Sequence, residues 1–375
     1  MRYYIIAGER SGDLHAGNLI RSLKSFDHTP QMRGIGGDQM KSEGVDLIIH
    51  YGNLAFMGLW EVIVNLRTIS QYLKECKSDI LSYKPDVVIL VDYGGFNTKI
   101  AKFANENGIK VFFYITPKVW AWHQQRAVTL KRVVDRMFVI LPFEKDFFKK
   151  FNWEVDYVGN PVLDAIKAHL KDLTFTSRYG FVNDRPIVAL LPGSRRQELK
   201  TILPLMADTV SLFPHIQFGL ATVDNIETGA YDIMRNKPNV TFIENDTYNL
   251  LLHSRAAVVT SGTATLETAL LHVPQVVVYK TSAVTYHVVR RIIKVGFLSL
   301  VNLIAGKKVV TELIQSEANP RQLKDELTLL LNEGQRRTSI LEEYNKIYKL
   351  LDIGSASENA ARLMWKYLNE KPESI

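Results

Sequence analysis

Cysteine is nearly absent. Cys76 is the only one in 375 residues, so no intrachain disulfide can form, and no grouping of cysteine with histidine has the spacing of a zinc site. That fits a reducing compartment. Long apolar runs are missing too. No stretch approaches the roughly 18 residues of a membrane-spanning helix. The opening MRYYIIAGERSGD meets glycine and charge after a short apolar run, too short for the hydrophobic region of a signal peptide. The expectation is a cytoplasmic protein that can touch a membrane surface without crossing it. Ligand signatures are lacking as well. There is no G-x-x-x-x-G-K-[ST], which excludes a P-loop nucleotide site. The nearest approach to a dinucleotide fingerprint, GIGGDQM at 34–40, carries Gln39 where the third glycine belongs. No two aspartates stand two apart, so an Asp-x-Asp holding a metal-bridged diphosphate is not available. No metal site and no cofactor are expected.

What is present is globular. Hydrophobic residues make up 46% and charged residues 23%, and the length favours two ordinary domains over one very large one. A formal net charge of +7 favours anionic partners: nucleic acid, phosphorylated metabolites or an acidic bilayer. Short β-rich apolar runs alternate with helix-patterned stretches: RYYIIA before LHAGNLIRSLKSF, VVILVD before TKIAKFANENG, then VFFYIT, and RMFVIL before EKDFFKKF. Runs without polar alternation read as parallel strands covered on both faces. The pattern restarts with PIVALLPGS, IQFGLATV, NVTFIE, AAVVTSG and VPQVVVYK. The predicted class is α/β, as two Rossmann-like domains over 1–165 and 166–355, joined through a linker that begins at the GNP turn. The helix-like stretch 356–370 follows an IGSAS break and can complete either half, the first included.

In open parallel sheets, ligands sit beyond the carboxyl ends of the strands, so the loops after strands carry the chemistry. In LLPGSRRQE, Gly193 and Ser194 let backbone N–H groups approach an anion and Arg195 supplies a bidentate charge; the alternative is a solvated turn. In TSGTATLE, Ser261, Gly262 and Thr263 sit where a helix N-terminus presents free N–H groups, and Glu267 is placed to accept ribose hydroxyls. The alternative there is ordinary capping by Ser261 or Thr263. In VDYGGFN, Asp92 closes a strand beside Gly94 and Gly95. Its carboxylate either removes a proton from an attacking hydroxyl or caps the next helix.

Taken together, AGERSGD, AFMG at 55–58, VDYGGFN, TPKVWAWHQQR, LPFE at 141–144, VGNP at 158–161, LLPGSR, SGTATLE and SLVNLIAG at 299–306 fall in the order and spacing of one family. Over nearly its whole length the chain resembles the lipid-A-disaccharide synthases. The resemblance implies a GT-B architecture, two Rossmann-like domains facing across a cleft, and an inverting, metal-free transfer. In that reaction UDP-2,3-diacylglucosamine donates its sugar to 2,3-diacylglucosamine 1-phosphate, giving a β-1,6-linked disaccharide 1-phosphate and UDP. It also implies peripheral association with the anionic inner-membrane surface. By position in their motifs, Asp92 and Arg195 match the family's essential aspartate and arginine, and Glu267, the SGT loop and Asn302 match positions lining the UDP site. The chain departs from the usual pattern in having Gly94-Gly95 where relatives carry Pro-Asp, which leaves Asp92 without a second acid beside it.

The remaining loops supply an acceptor side. Ser11, Gly12 and Asp13 are expected to position the acceptor, with Asp13 as a helix N-cap the alternative. Arg126 is a candidate anion contact, and His15 a weaker one. Trp120 and Trp122 are expected in the core. AFMGLWEVIVNLRTISQYLKECK reads as an amphipathic helix. Met57, Trp60, Val62 and Val64 add apolar surface to the stripe of Leu59, Ile63, Leu66 and Leu73, and Arg67, Lys74 and Lys77 lie nearby. It suits a bilayer interface or, equally, a doubly buried helix. Other readings are a UDP-N-acetylglucosamine epimerase, a peptidoglycan-type transferase or, from a different class, a nucleic-acid binder. The scattered aromatics speak against nucleic acid.

Overall fold

The computed structural model describes residues 1–53, 66–121, 124–224, 226–281 and 296–370. The chain forms two compact units, Met1–Pro161 with Ile353–Ile375, and Val162–Asp352. Each is built on one parallel sheet, of order β3-β2-β1-β4-β5-β6-β7 in the first and β10-β9-β8-β11-β12-β13 in the second.

The apolar runs explain the sheets. β1 (Arg2–Ala7), β4 (Val87–Val91), β5 (Lys110–Tyr114) and β6 (Arg136–Val139) centre the first, with β7 (Asp156–Tyr157) at one edge. β8 (Ile187–Leu191), β9 (Gln217–Thr222), β10 (Val240–Glu244), β11 (Ala256–Thr260) and β12 (Gln275–Tyr279) make most of the second. β4, β8 and β11 are buried at every residue, as strands covered on both faces must be. Both sheets reverse strand order between neighbours, β1 beside β4 and β8 beside β11. That leaves a crevice past the strand ends, where ligands of such folds bind.

β2 (Gln31–Gly36), β3 (Asp46–His50) and β13 (Thr311–Ile314) lacked a legible apolar run. In β2 the glycines answer to the sheet and not to a dinucleotide: a Cβ on Gly34 would come within 1.9 Å of the Ile5 carbonyl oxygen. The first core joins Tyr3, Ile5 and Ala7 to Ala16, Leu19, Ile20 and Leu23, which recur at helical spacing on the helix Arg10–Leu23. The last helix, Ala356–Asn369, buries Ala360, Ala361 and Met364 in this same core. Asn359 ties it down by donating from Nδ2 to the Val158 carbonyl at 3.2 Å.

Candidate active site

In the first unit the chain leaves β4 through Asp92 and Tyr93, both in the left-handed region at φ 47° and 50°. Each such non-glycine residue costs on the order of 1–2 kcal/mol, and strain of this kind gathers at functional sites. Surrounding contacts impose it. The Asp92 N–H donates to the Tyr114 carbonyl at 3.1 Å, and Asn97 Nδ2 donates to the Asp92 carbonyl at 2.7 Å. The Tyr93 ring covers Gly8, where a Cβ would come within 2.2 Å of it, and Gly94 abuts Pro117 in the same way at 2.7 Å. The exits of β1, β4 and β5 thus converge on Asp92.

Asp92 does not cap the next helix. Gly94–Glu106 starts after Tyr93 and has no side-chain cap. The carboxyl is half-buried, and burial pushes its pKa up to about 6. Glu9 pushes the same way, while Lys118 and the Tyr93 N–H oppose. A carboxylate so placed is mostly ionised at neutral pH yet more basic than a free aspartate, the balance a general base needs.

The AGERSGD loop differs from expectation. The helix already begins at Arg10, so Ser11, Gly12 and Asp13 form its first turn. Ser11 is exposed and Gly12 lies against the strand ends, its Cβ position 3.7 Å from the Val91 carbonyl. Asp13 neither faces solvent nor caps its own helix. It is 2% exposed and accepts from the backbone N–H groups of Gly37 at 2.7 Å, Gln39 at 3.0 Å and Met40 at 3.2 Å. It therefore caps the short helix Asp38–Ser42, a partnership invisible in local sequence. His15 has its pKa lowered by burial to about 4, so it is neutral at physiological pH and a poor phosphate contact.

After β5 the backbone turns through Ile115 at φ 63°, an outlier for a β-branched residue. Sequence reasoning passed over Glu144, which anchors this turn. Its carboxylate, 2% exposed, accepts from Thr116 Oγ1 at 2.5 Å and from the Leu141 and Ile140 N–H groups at 2.9 and 3.2 Å. Burial pushes its pKa up to about 7 against these bonds. Trp120 is buried edge-on to Phe143, with centroids 5.1 Å apart, and Arg126 is exposed at the start of the helix Arg126–Val133. Trp122 lies outside the described residues.

In the second unit, Gly193 follows β8 at φ 102°. That left-handed backbone, which a residue with a Cβ rarely adopts, is what calls for glycine here. Ser194 and Arg195 are exposed, and Arg195 Nη1 donates to Glu198 Oε1 at 3.0 Å. An exposed pair of this kind is worth little, so the guanidinium is readily redirected to an anion. After β11 the helix Thr263–Leu270 has Gly262 as N-cap without a side-chain cap, and Thr263 is exposed. Ser261 is not that cap, since its Oγ donates to the Leu298 carbonyl at 3.0 Å. The end of this helix keeps its anion-attracting N–H groups. Glu267 is partly buried, which raises its pKa, and accepts from Tyr248 Oη at 3.1 Å.

Asn302 has a duty within the fold itself. It is wholly buried, and its amide is spent inside the fold. Nδ2 donates to the Val310 carbonyl at 3.0 Å and Glu312 Oε1 at 2.8 Å, and Oδ1 accepts from the Val309 and Val310 N–H groups at 2.7 and 2.9 Å. It holds the turn before β13, and these bonds use up the hydrogen-bonding capacity of its side-chain amide.

Residues 3–364 match the family model for lipid-A-disaccharide synthetase. A lipid-A-disaccharide synthase of Syntrophus aciditrophicus is 40% identical over 364 residues, 95% of each chain, and one of Coxiella burnetii is 37% identical over 366 residues, 96% of each. The chain belongs to the lipid-A-disaccharide synthase family. It is a glycosyltransferase, and a match of this breadth does not favour an epimerase, a peptidoglycan-type transferase or a nucleic-acid binder.

Solved structures agree at the level of fold. The glycotransferase of kitacinnamycin superposes with TM-score 0.68 over 98% of this chain and 99% of that one, at 14% identity. UDP-GlcNAc 2-epimerase from Neisseria meningitidis gives 0.65 over 98% and 99%, also at 14%. Like them, this synthase-family chain has the two Rossmann-like domains of a GT-B protein. Among its described residues no helix is long and apolar enough to cross a membrane, and no cluster of His, Cys, Asp and Glu is placed to hold a metal ion. Of the proposed interfacial helix, residues 55–65, Met57, Trp60, Val62 and Val64 among them, lie outside the described residues, and the remainder runs within the helix Leu66–Tyr83. Of its cationic edge, Arg67 and Lys74 are exposed, and the Lys77 ammonium sits 5.0 Å from the centre of the Phe103 ring.

Proposed function

We propose that the chain transfers 2,3-diacylglucosamine from UDP-2,3-diacylglucosamine to the 6-hydroxyl of 2,3-diacylglucosamine 1-phosphate, with inversion and without a metal ion. Asp92 takes the hydroxyl proton as the oxygen attacks the anomeric carbon. The new C–O bond forms opposite the breaking bond to the diphosphate, so a single displacement gives the β-linkage, and UDP leaves with the electron pair. Arg195, the backbone at Gly193 and Ser194, and the N–H groups at Gly262 and Thr263 meet the charge that develops on the diphosphate. Glu267 takes the ribose hydroxyls. Ser11, Gly12 and Arg126 lie on the acceptor side, and the enzyme works peripherally on the anionic inner-membrane surface.

The observation that carries this reading is the state of Asp92: a strained, half-buried carboxyl at the switch point of its sheet, with a pKa near 6 and no capping duty. The test is product formation followed by mass spectrometry, with anomeric configuration read by NMR, for wild type before and after exhaustive EDTA treatment. Expected is a β-linked product at an unchanged rate. An α-linked product would sink the single displacement, and activity restored only by a divalent ion would sink the metal-free reading.

A further inference from the structure

We propose that Tyr248 is a positioning residue for nucleotide recognition: its phenol holds one oxygen of Glu267 so that the rest of the carboxylate is presented to the ribose hydroxyls of a uridine diphosphate. This rests on the reading of Glu267 as the ribose contact and adds what makes that contact selective.

Tyr248 lies in the helix Thr247–Leu252, which follows β10, and Glu267 in the helix Thr263–Leu270, which follows β11. Both helices therefore leave the ligand-binding edge of the sheet, and the Oη to Oε1 bond of 3.1 Å joins them. The ring of Tyr248 is itself steadied by His169, edge-on with centroids 5.3 Å apart. An ionised carboxylate only accepts, so the direction of this bond is fixed: the phenol donates. Burial and the Glu267 charge hold the phenol proton well above its ordinary range, so it stays a donor throughout the working pH range.

Among the described residues Tyr248 is the one hydrogen-bond donor to this carboxylate, which has about four lone-pair sites in all. The remaining sites match a pair of neighbouring hydroxyls, the feature that separates a ribonucleotide from its deoxy counterparts. Without the phenol the carboxylate is free to turn. Burial, no longer opposed by that bond, then favours its protonated form, a weaker acceptor. Selectivity for the hydroxyls falls, whereas contacts to the diphosphate do not change.

The test is calorimetric binding of UDP and of 2′,3′-dideoxy-UDP to the full chain as wild type, Tyr248→Phe and Glu267→Gln. Wild type is expected to prefer UDP by about tenfold or more, the discrimination of a hydrogen bond to a charged acceptor. Glu267→Gln should bring that ratio close to one. Tyr248→Phe should lower it about three- to tenfold by weakening UDP alone, while keeping the ring and its contact with His169. If Tyr248→Phe leaves the ratio unchanged, or weakens both ligands equally, the phenol serves only the fold and the proposal is overturned. If Glu267→Gln keeps the wild-type preference, the reading of Glu267 as the ribose contact fails, and the proposal falls with it.

Discussion

Replacing Asp92 with asparagine should make the protein more stable and nearly inactive at once. The left-handed backbone at position 92 suits asparagine at least as well as aspartate, and the shape of the side chain is kept. What changes is charge. Holding a carboxyl at about 6 instead of 3.8 costs the folded protein about 3 kcal/mol once the group is ionised in both states. Solvent reaching this half-buried group screens part of that, leaving about 1–3 kcal/mol. The sign follows from the raised pKa. Folding favours the protonated form, so the wild type holds this stability below about pH 4 and loses it as pH rises towards 6. The asparagine variant has nothing there to titrate. Its melting temperature should match the wild type near pH 4 and exceed it above pH 7, by about 2–4 °C for each kcal/mol. Turnover should drop by about 10²–10⁴ because no proton acceptor remains. Calorimetric melts between pH 4 and 8, paired with UDP-release rates, read both effects. A variant that melts at or below the wild type above pH 7 refutes the buried-charge argument. One that keeps near-normal rates removes Asp92 as the base.

Arg195→Ala should weaken UDP binding in calorimetry and slow transfer, and Arg195→Lys should restore only part, since an ammonium lacks the guanidinium fork; unchanged affinity in the alanine variant would remove Arg195 from the diphosphate site. Asp13→Ala leaves the N–H groups of Gly37, Gln39 and Met40 without their acceptor and should cost about 2–4 kcal/mol in urea unfolding, with Asp13→Asn in between. Asn302→Ala strands the buried N–H groups of Val309 and Val310 and should lose a similar amount, about 2–4 kcal/mol, while the folded fraction still binds UDP; a stable variant that has lost UDP would return Asn302 to the nucleotide site.

The order of strands and ligand loops was legible from residues alone wherever burial on both faces demanded an unbroken apolar run, as in VVILV and AAVVT. That pattern carries the two-domain α/β class and marks the turns after strands as the place for chemistry. It missed β2, whose glycines are imposed by the Ile5 backbone, and the two-residue edge strand β7. The duties of the polar residues were not legible. Asp13 answers to backbone 24–27 residues away, Glu144 to Thr116 across 28 residues and Glu267 to Tyr248 across 19. Sequence shows that a carboxylate follows a strand. It does not show whether distant backbone N–H groups will consume that carboxylate, as at Asp13, or a strained turn will leave it with only the neighbouring Tyr93 N–H, as at Asp92. An apolar side chain needs only to be out of water, which any neighbour provides, and so its pattern can be read locally. A buried polar group needs particular donors at about 3 Å, and the tertiary fold alone decides which ones arrive.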